Sequence, residues 1–501
     1  MSQSDPVLSE TAPQTSTLQA VASHDTGPPQ ALVDAMLANW KPAVRDVEPG
    51  PQIARYAARR AALSERFPGD ALVVATGSEK VRANDTLYRF RPGSDFYYLT
   101  GNVEPDCALI LMPRAGGGHE ATLFVEPNPG TSDATFFTDR VKGELWVGPR
   151  LGVPESARRF GIATRPLGEL AATLGALAGP SVPQRRVRRG DDPRVDGALP
   201  ADAGLDAEFA TVLSELRLIK DAYEIGELEG AIAATARGFE DVLAALPASR
   251  TERFVEGIFG LRARVDGNDV GYTSVAASGA HACTLHWTRN DGSLRSGELL
   301  LLDAGVEAET LYTADVTRTV PISGRFSAEQ REVYELVLAA QEAGFAACAP
   351  GADFLAPHRA AMSVIAHGLE RMGILASAEV ALQPDRQLYK RYTLHGTSHM
   401  LGIDVHDCAF AREETYRGGT LAVGMVLTIE PGCYFQLNDL TVPERYRGIG
   451  VRIEDDVLVT AEGCRNLSAA LPRAVDDVER WVIASSERGY RLPHDHRLDA
   501  P

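Results

Sequence analysis

The chain lacks most of what a secreted, membrane-spanning or nucleic-acid-binding protein needs. Cysteine is scarce, with six residues in 501 (Cys107, Cys283, Cys348, Cys408, Cys433 and Cys464) and no C-x-x-C pair. That pattern suits free thiols in a reducing compartment rather than a disulfide framework. Positive charge is also short: 50 Lys and Arg stand against 68 Asp and Glu, a net charge of −18, whereas a duplex nucleic-acid binder needs a basic surface. No apolar run approaches the roughly 18 residues that cross a bilayer. The first thirty residues, MSQSDPVLSETAPQTSTLQAVASHDTGPPQ, have neither a basic start nor an apolar centre, so they do not read as a secretory leader. A disordered tail over 1–30 and a cytoplasmic location are expected, with no nucleic-acid or membrane partner.

What is present is a chain long enough, at 501 residues and 44% hydrophobic, to bury two or more cores. From residue 31 to about 200, short apolar runs alternate with helical patterns. ALVVATG at 71, DFYYLTG at 95, CALILMP at 107 and ATLFVEP at 121 read as strands of an α/β domain. The stretch 179–204, rich in Pro, Gly, Arg and Asp, reads as a linker or surface loop, with its Arg-rich part at 183–194 solvated. A second, α+β domain is expected over 205–490, followed by a short tail at 491–501. It opens on a helix headed by Asp221 and Glu224 at capping-box spacing, with Ile225, Leu228, Ile232, Phe239, Leu243 and Leu246 recurring on one face. Strand-like runs follow at 298, 424 and 450, with a helical pattern at 327–347 between them.

Histidine is rare, 11 in the chain, yet YTLHGTSHMLGIDVHD places His395, His399 and His406 within twelve residues. Histidines four apart on a helix could grip zinc, but Gly396, Thr397 and Ser398 between them are poor helix formers, and a loop or strand edge is expected instead. Further ligands would then come from elsewhere. The later strands carry acids that a plain core strand would not tolerate. Four leucines run into Asp303, Asp315 follows twelve residues on, VLTIEPG delivers Glu430, and VRIEDDV delivers Glu454. One such acid is ordinarily paired with arginine or left at a surface strand end. Four together with one imidazole would neutralise two divalent cations. Such an oxygen-rich set favours manganese, magnesium or cobalt, with zinc as an alternative, and two metals roughly 3.5–4 Å apart suit hydrolysis.

In order and in context (LLDAG, ADVTRT, HGTSHMLGIDVHD, TIEPG, YRGIGVRIEDD), these residues resemble the pita-bread-fold metallopeptidases, and among them aminopeptidase P, the Xaa-Pro aminopeptidases. The likeness extends through SGAHACTLHWT at 278–288 and DTLYRFRPGSDFYYLTGNVEPD, covering about 50–485. It implies a C-terminal pita-bread catalytic domain behind a smaller α/β domain, and release of the first residue from peptides with proline second. It also implies two divalent ions, manganese foremost. Asp303 would chelate one ion, Asp315 and Glu454 would bridge both, and His399 and Glu430 would complete the second site, with a bridging hydroxide as nucleophile and Glu430 carrying the proton. His286 and His406 would contact substrate, His395 would lie in the same cleft, and Arg452 would orient a carboxylate or His406. Subunit contacts of the family imply a homodimer or homotetramer.

The sequence departs from that pattern in places. Twelve residues separate Asp303 from Asp315, one more than usual, which suggests a bulge or longer turn in GVEAETLYT, and Trp287 stands where tyrosine is common. Tyr272, Trp287 and Tyr392 are candidate walls for a proline pocket. The rival readings are a prolidase limited to Xaa-Pro dipeptides, a metal-free creatine-type hydrolase, and an inactive peptidase-like binding module. Loss of ligands is expected for the second, and all five are present. Four unneutralised carboxylates in one cleft argue against the third.

Overall fold

The computed structural model describes residues 27–41, 45–179 and 183–493. Residues 1–26 of the expected N-terminal tail and 494–501 of the expected C-terminal tail lie outside the described residues. The chain divides into two compact units, Met1–Ala210 and Thr211–Pro501. The division falls inside the helix Ala203–Leu216.

The first unit is built on strands β1 (Ala71–Ala75), β4 (Ala108–Pro113), β5 (His119–Val125), β6 (Ala163–Pro166) and β7 (Arg185–Arg188), with a small hairpin of β2 (Val81–Ala83) and β3 (Thr86–Leu87). The sheet order is β6-β5-β4-β1-β7. Its centre is antiparallel, β1 to β4 to β5, and its two outer pairs are parallel. Val73, Ile110, Phe124 and Val187 pack from the sheet onto Leu170 and Leu174 of the helix Leu170–Leu177.

Two expectations for this unit need correction. DFYYLTG is not a strand but the helix Ser94–Thr100, closed by Gly101 at φ 68° with its N–H on the Tyr97 carbonyl. Every side chain from Asp95 to Thr100 is buried, so no alternation distinguishes one face, and β-rich composition alone misleads. The Arg-rich segment 183–194 is not a loop. Arg185–Arg188 forms β7 alongside β1, with Val73 opposite Val187, and Pro193–Ala198 is a helix capped by Asp192. An edge strand tolerates these arginines because acids neutralise them. Arg186 meets Asp70 and Glu208, both at 2.7 Å, Arg188 meets Asp95 at 2.6 Å, and Arg189 meets Asp206 at 2.6 Å.

In the second unit the helix Ala222–Ala245 starts at the expected capping box of Asp221 and Glu224. The helix Ala328–Ala347 starts at another, formed by Ser327 and Gln330. Their apolar faces, with those of the helices Glu252–Asp266, Ala356–Arg371 and Val475–Arg488, enclose one core through Phe239, Phe259, Val337, Ile365 and Val478. The remaining strands are β8 (Asp269–Val270), β9 (Val275–Ser278), β10 (Leu299–Ala304), β11 (Val306–Glu307), β12 (Val316–Pro321), β13 (Val426–Ile429), β14 (Gly432–Tyr434), β15 (Gly450–Arg452), β16 (Asp455–Thr460) and β17 (Gly463–Asn466). They form the sheets β12-β10-β9, β13-β16-β17, β14-β15 and β11-β8.

Strand parity decides where the acids go. In β10, Leu300 and Leu302 face the helical core while Leu301 packs with Val275 and Tyr434 on the other face, and Asp303 shares the parity of Leu301. Truncating Leu300, fully buried, to alanine would cost about 2–5 kcal/mol, so the face that presents Asp303 is firmly set. GVRIEDDVLVT, expected as one strand, is two. β15 pairs with β14 and β16 pairs with β13. At the change of partner the Ile453 and Glu454 amides donate to the Pro431 and Thr317 carbonyls. The longer turn between Asp303 and Asp315 contains β11 and a left-handed Leu311 at φ 66°.

Candidate metal centre

Asp303 lies near the end of β10, Asp315 directly before β12, Glu430 directly after β13, and Glu454 between β15 and β16. The histidine segment is not helical. It runs beside β13, the Thr428 amide donating to the His399 carbonyl and the Glu430 amide to that of Thr397. Ligand atoms of Asp315, His399 and Glu454 all lie within 4.8 Å of one another. His399 Nε2 is 3.3 Å from Asp315 Oδ2 and 3.5 Å from Glu430 Oε1. The Tyr272 hydroxyl lies 2.7 Å from Asp303 Oδ1 and 2.5 Å from Asp315 Oδ1. The five residues thus converge on one point through contacts between side chains.

They line a cleft of about 820 Å³ together with His286, His395, His406 and Arg452. His286 and His406 are exposed to it, and the His406 ring meets the His399 ring edge-on at 4.4 Å. His395 places Nε2 2.7 Å from the Tyr434 hydroxyl and Nδ1 3.4 Å from Glu430 Oε2. Arg452 reaches Asp303 Oδ2 at 2.5 Å, the Tyr434 hydroxyl at 2.9 Å and Thr317 Oγ1 at 3.1 Å. Of its two expected partners, the carboxylate is the one it meets. Of the candidate pocket walls, only Tyr272 lines this cleft. Trp287 instead donates to Glu252 and stacks on His281, and Tyr392 is buried with its hydroxyl at Thr441.

Two contributors were not assigned a role from sequence. Thr317 donates to Glu454 Oε2 at 2.6 Å, and Tyr434 joins Arg452 to His395. Thr317 had a signal available, since it lies two residues after Asp315 and so on the same strand face. Tyr434, on β14, had none.

The electrostatics show what the cluster is built for. Burial, then the neighbouring acids, push the Glu454 carboxyl well above its ordinary range. Burial likewise raises Asp315, to about 6. Burial opposes a charge on His399, but Asp315 and Glu430 outweigh it and hold the imidazole at about 9. Glu430, despite burial, is kept low by His395, His399 and Arg452. A buried surplus of negative charge therefore holds protons that a divalent cation would replace. Oxygen donors with a single imidazole fit a hard or borderline divalent ion, so the donor set fits the metals that the resemblance implies.

Comparison with known proteins agrees. The profile of metallopeptidase family M24 matches residues 226–461, and that of the aminopeptidase P N-terminal domain matches 56–183. The chain is 53% identical to Xaa-Pro aminopeptidase 1 of Streptomyces coelicolor, covering 90% of this chain and 92% of that protein. It is 35% identical to the Xaa-Pro aminopeptidase of Haemophilus influenzae over 85% of this chain and 96% of that one. The solved structure of Escherichia coli aminopeptidase P with the inhibitor Pro-Leu superimposes with a TM-score of 0.78 at 29% identity, covering 87% of this chain and all of that one. The chain belongs to metallopeptidase family M24 and, within it, to the aminopeptidase P proteins, with their α+β, pita-bread catalytic fold and their dependence on divalent metal ions.

Proposed function

We propose that the protein is a Xaa-Pro aminopeptidase, a hydrolase that releases the first residue from peptides with proline in the second position. The observation that carries this is the convergence of Asp303, Asp315, His399, Glu430 and Glu454 in one open cleft, in a chain half identical to proteins of that activity.

In this reading Asp303, Asp315 and Glu454 with His399 and Glu430 hold two divalent ions, manganese foremost. When bound, the ions supply Lewis acidity, which acidifies water and polarises the scissile carbonyl. The protein's own groups do the rest. Glu430, kept ionised by its cationic neighbours, takes a proton from the attacking water and returns it to the leaving nitrogen. That return matters because the Xaa-Pro bond is a tertiary amide, whose nitrogen carries no hydrogen and leaves as a secondary amine. His286 and His406, facing the cleft, hydrogen-bond substrate and developing charge. His395 steadies Glu430, and Arg452 fixes the orientation of Asp303.

Homodimer or homotetramer formation is part of this reading, supported by the apolar run Leu145, Trp146 and Val147, each about half exposed on the first unit. Cytoplasmic location is supported by six free cysteines. No helix among the described residues is long and apolar enough to cross a membrane.

The test is hydrolysis of Arg-Pro-Pro and of Ala-Pro after chelation and after return of Mn²⁺, with Glu430→Gln alongside. Metal-dependent release of arginine from the tripeptide, lost in the variant, is the expected result. Activity confined to the dipeptide would make the protein a prolidase, and a folded, metal-loaded protein with no activity would overturn the peptidase reading.

A further inference from the structure

The two sulfur-bearing residues Cys348 and Cys464 meet outside the cleft. Cys348 caps the C-terminal end of the helix Ala328–Ala347 and is 1% exposed. Cys464 lies on β17, the edge strand of its sheet, opposite Val459, and is partly exposed. Both converge on one acceptor. The Cys348 amide donates to the Phe345 carbonyl at 3.0 Å, and the Cys464 thiol donates to the same oxygen at 3.5 Å. The side chains pack in one apolar cluster with Leu427, Ile429, Val457 and Val459.

We propose that Cys348 and Cys464 form a thiol pair oxidised by hydroperoxides to a disulfide that joins the end of the helix Ala328–Ala347 to the edge strand β17. The four other cysteines are buried, so Cys464 is the sulfur an oxidant can reach. The influence of each thiol on the other shifts acidity towards Cys464 and away from Cys348. The thiolate thus forms at the accessible sulfur, where attack requires it. In the first step the Cys464 thiolate attacks the terminal oxygen of the peroxide, a sulfur–oxygen bond forms, the O–O bond breaks, and alkoxide leaves, or hydroxide when the oxidant is hydrogen peroxide. In the second the Cys348 sulfur displaces the hydroxyl from the Cys464 sulfenic acid. The S–S bond forms, and the Cys348 proton leaves with that hydroxyl as water. Two thiols lose one electron each, and the peroxide takes both.

The link would be felt at the metal centre. Within the same helix, the Gln341 side-chain amide donates to the Ile429 and Ile453 carbonyls at 3.1 and 3.2 Å, the residues immediately before Glu430 and Glu454. Drawing the helix end towards β17 therefore disturbs the backbone behind two of the metal-site acids, and peptidase activity falls several-fold until thiol reductant restores it. This consequence rests on the proposed peptidase reading, whereas the bond itself does not.

The experiment treats the full-length, metal-loaded protein with hydrogen peroxide, blocks free thiols, and maps peptides without reduction. Loss of two of the six thiols, with the peptides of Cys348 and Cys464 joined, is expected. Cys464→Ser should lose no thiols under the same exposure, and Cys348→Ser should hold a sulfenic acid at Cys464 that dimedone traps. Oxidation of Cys464 to sulfinic acid without the cross-link in the wild type, or equal thiol loss in Cys464→Ser, would overturn the pair. A complete cross-link with unchanged activity, in a preparation whose reduced form is active, would overturn the coupling. An inactive reduced form would instead count against the peptidase reading.

Discussion

Asp407 and Glu454 are almost equally buried, at 1% and 2% exposure, and their acidities are shifted in opposite directions. Asp407 sits between Arg217 at 3.0 Å and Lys220 at 3.1 Å. Burial works against its charge, but those two cations more than offset it and keep the carboxyl below its usual range. Glu454 has the Thr317 hydroxyl and no ion pair among the described residues, and its carboxyl is pushed well up. Burial alone therefore does not tell a structural acid from a metal-site acid. The informative quantity is whether the fold itself supplies the countercharge. Asp407 is complete within the chain, whereas Glu454 needs a cation from outside.

The largest effect that would break this comparison is on catalysis. Glu454→Gln is expected to lower kcat/KM on Arg-Pro-Pro roughly 10³-fold, several kcal/mol of transition-state stabilisation. In the presence of chelator it should leave thermal stability unchanged or raised, because the substitution replaces an acid whose ionisation burial and the neighbouring acids oppose. A clear drop in Tm would mean that Glu454 is held by protein contacts after all. Asp407→Asn should do the reverse. It removes the buried carboxylate charge that Arg217 and Lys220 share and should cost about 3–5 kcal/mol of unfolding free energy in urea, with no rescue by Mn²⁺. A cost under about 1 kcal/mol would remove the contrast.

A pH series sharpens it further. The Asp315 carboxyl, held at about 6, lies above the unfolded value of about 3.9. Its contribution to stability is present below that lower value and lost as pH rises through 6. Chelated protein should lose roughly 2–3 kcal/mol across this window, and Asp315→Asn should flatten the profile. Because Asp407 is shifted down, its contribution has the opposite sign and is lost as pH falls. The smallest effect concerns Thr317. Removing its hydroxyl with Thr317→Val should weaken Mn²⁺ binding by about 1 kcal/mol, roughly fivefold, by calorimetric titration.

What could be read from the sequence divides along the same line. Acids at strand ends are local signals, so Asp303, Asp315, Glu430 and Glu454 stand out against the apolar runs that carry them, and the Gly396-Thr397-Ser398 run correctly argued against a helix. Countercharges supplied from afar leave no local mark. Arg186 looks solvated until Asp70, 116 residues earlier, is brought beside it, and the Arg-rich stretch is therefore mistaken for a loop. DFYYLTG fails for a related reason, because a short helix buried on all sides shows no period. Tyr434 entered the site through tertiary contacts with Arg452 and His395 that no spacing encodes.

The change of strand partner at Ile453 and Glu454 has a dynamic consequence. Neither residue belongs to a strand, yet their amides are tied to the Pro431 and Thr317 carbonyls, and both side chains are buried. In hydrogen exchange these two amides should be protected like the centre of a sheet, opening only when β13 and β12 open. The seam between two small sheets would then be among the last parts of the second unit to unfasten, which keeps Glu454 in register with acids delivered by other strands.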